Sequence, residues 1–175
     1  MSHRVGVFLD YQNVHLSARD RFLARSARAE RALVHPLAVA ELLVTCRRFG
    51  GELTAVRVYR GRPSPDLQPT MTAANDAQSA AWSRDPRATV VRRDLKYANW
   101  PRIPPQEKGI DVALAVDLIR SAMLGWFETV IVFSADTDLL PALEAVFDHT
   151  RTHLEIASWQ GVQALWFPDM VRQQK

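Results

Sequence analysis

Apolar residues along this chain follow two rhythms. Short β-rich runs at Val5–Asp10, Leu53–Arg60, Thr89–Asp94, Thr129–Ser134 and His153–Ser158 predict five strands. The first (VGVFLD) and the fourth (TVIVFS) are nearly continuous apolar runs, as in strands covered on both faces of a parallel sheet. Between the strands the spacing becomes helical. Pro36 suits a first helical turn, with Leu37, Ala40, Leu43, Val44 and Phe49 following and Gly50-Gly51 as the stop. A second helix is predicted over Pro69–Ser83, using Met71, Ala74, Ala77, Gln78, Ala81 and Trp82. A third spans Ile110–Leu124, with Val112, Ala115, Leu118, Ile119 and Ala122 on one stripe. A fourth starts near Thr137 and runs through Leu140, Leu143, Ala145 and Val146. A last helix over Val162–Arg172 is suggested, interrupted by Pro168.

Strand and helix alternate over the whole length, which predicts an α/β sandwich with a mainly parallel central sheet. No repeat or long linker divides the chain, and 175 residues fit one domain, 1–175. The one cysteine, Cys46, excludes an internal disulfide and a Cys-rich zinc module; its helical apolar surroundings predict a core position. The apolar run Val5–Leu9 is short for a signal-peptide core, and no stretch approaches the ~18 apolar residues of a membrane helix. A cytoplasmic protein without a membrane partner is expected.

Charge is nearly balanced, with 22 Lys+Arg against 19 Asp+Glu. Lysine occurs only at Lys96, Lys108 and Lys175, so almost all positive charge is arginine, the side chain suited to bidentate phosphate contacts. Its distribution matters more than the total. Arg19, Arg21, Arg25, Arg28 and Arg31 follow the first strand; on a helix, Arg21, Arg25 and Arg28 would share a face. Such a face is either a phosphate-binding arm or a solvated surface softened by Asp20 and Glu30. The segment Lys96–Lys108 interleaves Lys96, Tyr97, Trp100, Arg102 and Lys108, a composition suited to single-stranded nucleic acid. The other reading of Trp100 is a plug for the core. His149 and His153 have i, i+4 spacing but lack an accompanying glutamate motif, and Trp126, Trp159 and Trp166 read as packing.

Ligands of parallel α/β sheets gather beyond the carboxyl ends of the strands, where the strand order reverses. Asp10 ends the first strand, and Asp136 and Asp138 follow the fourth. Asp111 opens the helix that leads into the fourth strand. If the first and fourth strands are neighbours, these carboxylates converge. Clustered carboxylates repel unless a cation neutralises them, and hard oxygen ligands select Mg²⁺ or Mn²⁺ over zinc. A cation so held activates water and stabilises in-line attack on a phosphodiester. Asn13, one turn beyond Asp10, is placed to orient substrate or a bound water. Each carboxylate also has a structural reading, Asp10, Asp136 and Asp138 as helix caps and Asp111 as a complement to a helix N-terminus. One cap needs one carboxylate, however, and the stretch after the fourth strand supplies two. Asp117 lies about 240° around the helix from Asp111 and reads as solvated or salt-bridged.

FLDYQNV, KGIDVALAVDLI and VIVFSADTDLLPAL, in that order, resemble the NYN domain family, PIN-like nucleases of the LabA type. The matching positions are Asp10, Asn13, Lys108, Gly109, Asp111, Ser134, Asp136, Asp138 and Pro141. The resemblance implies a three-layer α/β/α, PIN-like fold and metal-dependent endonuclease activity, usually on RNA. On that reading Asp10, Asp111, Asp136 and Asp138 hold Mg²⁺ or Mn²⁺ and activate water. Asn13 and Ser134 orient water or substrate, and Lys108 binds phosphate; Arg21, Arg25 and Arg28, outside the matching positions, would add RNA phosphate contacts if they form an arm. Two features depart from the family: Ala135 stands where Gly is common, and the Ser17–Val34 segment is longer and richer in arginine. The alternative is a non-catalytic RNA-binding or protein-interaction module on the same fold; the complete carboxylate set favours the enzyme. DNA as substrate, a homo-oligomer and a protein partner stay open at the level of sequence.

Overall fold

A computed structural model describes residues 3–23 and 33–166. Its elements run β1 (Arg4–Asp10), α1 (Tyr11–Phe22), α2 (Pro36–Thr45), β2 (Glu52–Arg62), α3 (Pro69–Trp82), β3 (Ala88–Asp94), α4 (Ile110–Met123), β4 (Thr129–Phe133), a 3-10 turn (Thr137–Leu139), α5 (Leu140–His149) and β5 (His153–Ala157). The five strands form one sheet in the order β3-β2-β1-β4-β5, and every adjacent pair is parallel. The chain thus winds outward from β1 in one direction through β2 and β3, then returns to its other side for β4 and β5. β1 and β4 are direct neighbours, with Leu9 opposite Phe133, so the reversal of strand order falls between them.

Two apolar clusters cover the sheet. Val5, Val7 and Leu9 of β1 pack with Val56 and Val58 of β2 against Leu37, Ala40 and Val44 of α2 and Trp82 of α3. Phe8 of β1 and Tyr59 of β2 point the other way, toward Ile110, Leu114 and Leu118 of α4 and Leu143 and Val146 of α5. This is the three-layer α/β/α arrangement, PIN-like in architecture. Because strand side chains alternate with a period of two, Asp10 belongs to the Phe8 face, the side on which α4 begins. Among the described residues no helix is long and apolar enough to cross a membrane.

The five predicted strands match the observed ones to within one or two residues, but three helix faces differ from expectation. On α4 the buried stripe is Ile110, Leu114, Leu118, Ser121 and Ala122, while Val112 is exposed. α2 stops at Thr45, so Phe49 lies beyond it in solvent, and Cys46 at its C-cap is exposed rather than core. On α3 the buried residues besides Trp82 are polar: Thr72, Asn75 and Ser79, with Met71, Ala74 and Ala77 turned outward. Thr72 Oγ1 donates to the Pro63 carbonyl at 3.1 Å and Asn75 Nδ2 to the Gly61 carbonyl at 2.9 Å. Carbonyls of β2 and the residue after it that lie beyond the pairing with β1 need donors, and the polar face of α3 supplies them. α1, which the sequence left conditional, is a 12-residue helix whose buried face is Tyr11, Val14 and Ala18. Val162–Trp166 is not helical, and the rest of the suggested last helix lies outside the described residues.

Candidate metal centre

Asp10 is the last residue of β1 and the N-cap of α1. It is buried, at 4% exposure, and both of its oxygens are engaged. Oδ1 accepts from the Asn13 N–H at 3.2 Å, and Oδ2 accepts from Ser134 Oγ at 2.9 Å. Ser134, just past β4, is buried too, and its Oγ also accepts the Asp136 N–H at 3.1 Å. Asn13 closes the circuit from α1, its Oδ1 accepting the Ala135 N–H at 3.2 Å. The amide of Asn13 and the hydroxyl of Ser134 are therefore bound to protein, holding the two strand ends together.

Asp136 is the N-cap of the 3-10 turn, its Oδ1 accepting from the Asp138 N–H at 2.9 Å. The capping and cluster readings of Asp10 and Asp136 are thus both realised. Asp111 enters from α4, whose first turn is set by Gly109. Gly109 has φ 75°, in the left-handed region where a side chain would be strained, so glycine at this point lets the loop turn directly into the helix. One carboxylate oxygen from each of Asp10, Asp111 and Asp136 lies within 4.8 Å of the others. Asp138 is exposed and stands outside this trio, close enough for its charge to act on Asp111.

The electrostatics follow from burial and crowding. Burial pushes the Asp10 carboxyl up to about 6, against the pull of its Asn13 and Ser134 hydrogen bonds; Asp111 and Asp136 push it further. Asp111 is raised by partial burial first, then by Asp136. The three open into a cavity of about 500 Å³ that Gln12, Asn13, Ser17 and Glu107 also line.

Glu107 escaped the sequence reading. Its Oε1 accepts the Gly61 N–H at 2.6 Å, which draws the loop before α4 onto the end of β2. Burial pushes its carboxyl up to about 7, with the Gly61 N–H opposing and the Asp10 and Asp111 charges adding. Its position directly before the Lys108-Gly109 pair was the available signal. Gly61 permits the approach, since an added Cβ would overlap the Leu95 side chain and sit 2.8 Å from Glu107 Oε1.

Among the cations, Lys108 is exposed in the loop leading to α4. Arg21 lies on α1 with Nε donating to the Gln160 carbonyl at 2.7 Å; Arg25 and Arg28 lie outside the described residues. Trp100 does not plug the core: it is 36% exposed and meets Tyr97 edge to face, with ring centroids 5.7 Å apart. Asp117 is paired as expected, accepting from Tyr59 Oη at 2.8 Å and Arg57 at 3.2 Å.

The family model of the NYN domain matches residues 4–164, and the chain belongs to that family. NYN domains have a PIN-like nuclease fold, and the trio of Asp10, Asp111 and Asp136 is a carboxylate cluster compatible with a divalent metal. Among solved structures the chain is similar to a protein of unknown function from Vibrio parahaemolyticus. The two are 15% identical with a TM-score of 0.56, over 89% of this chain and 80% of that one, a likeness of fold. No curated protein matches the chain.

Proposed function

We propose that this NYN domain is a Mg²⁺- or Mn²⁺-dependent endoribonuclease that hydrolyses RNA phosphodiester bonds. One observation carries the reading: oxygens of Asp10, Asp111 and Asp136 within 4.8 Å of one another at the strand-order reversal. An all-carboxylate donor set fits a hard divalent cation and disfavours zinc. The raised Asp10 carboxyl fits as well, because a buried acid crowded by two others lacks compensating positive charge.

Asp10, Asp111 and Asp136 would hold the cation, with Asp138 adding negative potential at the rim. When bound, such a cation supplies an activated water and neutralises charge building on the phosphodiester. Ser134 and Asn13 are positioning residues: they keep Asp10 and the 134–136 turn in register, so the ligands need no reorganisation. Lys108, exposed in the loop before Asp111, would contact substrate phosphate, and Arg21, Arg25 and Arg28 would contact the RNA backbone farther out.

The test is incubation of labelled RNA and DNA with wild type and Asp136→Asn, in Mg²⁺, Mn²⁺ or EDTA. RNA cleavage that needs metal and disappears in the variant is expected. Binding without cleavage under every metal would leave a non-catalytic RNA-binding module, and cleavage of DNA alone would reassign the substrate.

A further inference from the structure

Two walls of the carboxylate cavity, Gln12 and Glu107, are shared with a second cavity of about 340 Å³. This is a cleft between α1 and α3 over the end of β2, lined by Tyr11 and His15, by Ala74 and Gln78, and by Arg60. Its volume lies at the small end of ligand cavities, the scale of one nucleotide.

Arg60 sets the chemistry of the cleft. Strand alternation turns it to the face opposite Tyr59, where its guanidinium lies 4.8 Å from the Tyr11 ring centroid and 5.1 Å from that of Trp82. It donates to Gln78 Oε1, a neutral acceptor, at 3.0 Å. Its strand neighbours Arg57 and Arg62 pair with Asp117 and Asp76, but Arg60 has no ion-pair partner among the described residues. Burial pulls its guanidinium below the ordinary value, with Tyr11 and Glu107 opposing. A half-buried cation with only the more distant Glu107 charge facing it, and no direct ion pair among the described residues, costs free energy that a bound anion would restore. The two rings hold the guanidinium in place, and an arginine beyond its Nη1 bond to Gln78 has further N–H groups that suit a charge-assisted phosphate contact. Beside it, the half-buried His15 stacks on the buried Tyr11, with centroids 5.8 Å apart and planes 11° apart, and carries that aromatic surface to the cleft wall.

We infer that this cleft holds the nucleotide adjacent to the scissile linkage of single-stranded RNA, with Arg60 on its backbone phosphate and His15 against its base. The word scissile rests on the endoribonuclease reading; the binding site does not.

Binding is measured in EDTA, by fluorescence anisotropy of a labelled single-stranded oligoribonucleotide across a KCl series. Arg60→Gln should raise Kd roughly tenfold to a hundredfold, the effect of losing one charge-assisted contact. Its log–log salt slope should fall by about 0.7. Arg60→Lys should keep the slope and recover only part of the affinity. Ala74→Phe, at an exposed α3 position, should fill the cleft and weaken binding with the melting temperature unchanged, and it decides the matter if Arg60→Gln folds poorly. A single methylphosphonate, moved along the oligonucleotide, should weaken wild type at one position and leave Arg60→Gln indifferent there. The inference is overturned if wild type binds no RNA, or if folded Arg60→Gln and Ala74→Phe bind with unchanged Kd and slope. Arg60-dependent binding without metal-dependent cleavage would keep the subsite and remove the nuclease reading. Asp136-dependent cleavage with binding indifferent to both variants would do the reverse.

Discussion

Ser134 Oγ donates to Asp10 Oδ2 at 2.9 Å and joins the carboxyl ends of β1 and β4. The same oxygen accepts the Asp136 N–H, so one buried hydroxyl aligns two of the three converging carboxylates. Ser134→Ala should therefore act on the centre without touching a ligand. Losing a supporting hydrogen bond of this kind typically weakens a metal site 10- to 100-fold. Isothermal titration with Mn²⁺ should show a loss in that range, with the circular dichroism spectrum retained. Unchanged Mn²⁺ affinity would mean that packing alone orients Asp10.

Stability without metal should fall as pH rises from about 4 to about 7. Asp10 titrates near 6 in the folded chain against an ordinary 3.8, so between those values the folded state holds a proton that the unfolded state has released. That favours folding on the acid side, and the advantage is lost as pH rises through the folded value. A shift of about two units amounts to about 3 kcal/mol. Glu107, pushed from 4.5 to about 7, extends the same trend. Asp85 and Glu128, held near 2 by Arg87 and Arg4, act oppositely but only at more acid pH. Urea midpoints in EDTA should thus be higher at pH 5 than at pH 7.5, and Glu107→Gln should flatten part of the slope. Millimolar Mn²⁺ should raise the pH 7.5 midpoint most.

Asp136→Asn and Asp138→Asn should separate cleanly. Asparagine caps a helix as well as aspartate does, so Asp136→Asn keeps its hydrogen bond to the Asp138 N–H. It also relieves repulsion on Asp10 and Asp111, so its melting temperature in EDTA should equal or exceed that of wild type while cleavage disappears. Asp138 is exposed and outside the trio, so Asp138→Asn should weaken Mn²⁺ binding much less. Equal losses in the two variants would bring Asp138 into the ligand set.

Gly61→Ala tests the loop that carries Glu107. The new methyl would collide with Leu95 and Glu107, and overpacking of this sort costs about 1–3 kcal/mol. Chemical denaturation should register that loss. A second variant, Glu107→Gln, should retain most of the stability at pH 7.5, because its amide oxygen still accepts the Gly61 N–H. A stable Gly61→Ala protein would show that the loop gives way without cost.

Much of this protein was legible in its residue pattern. The β-rich runs located five strands because buried parallel strands need continuous apolar side chains. Asp10, Asp111, Asp136 and Asp138 stood out because four carboxylates at strand ends and a helix start are more than capping needs. Helix faces were another matter. α3 buries Thr72, Asn75 and Ser79, with Thr72 and Asn75 donating to carbonyls at and just past the end of β2, and no periodicity of apolar residues records such a partner. Only the tertiary structure decided that β1 lies beside β4, which turns separate acids into one centre, and that Glu107 reaches Gly61 across 46 positions of chain. It also left Asp138 at the rim and Arg60 without a direct ion pair among the described residues. Sequence specifies which groups bear charge; their cost and use depend on which neighbours burial brings within a few ångströms.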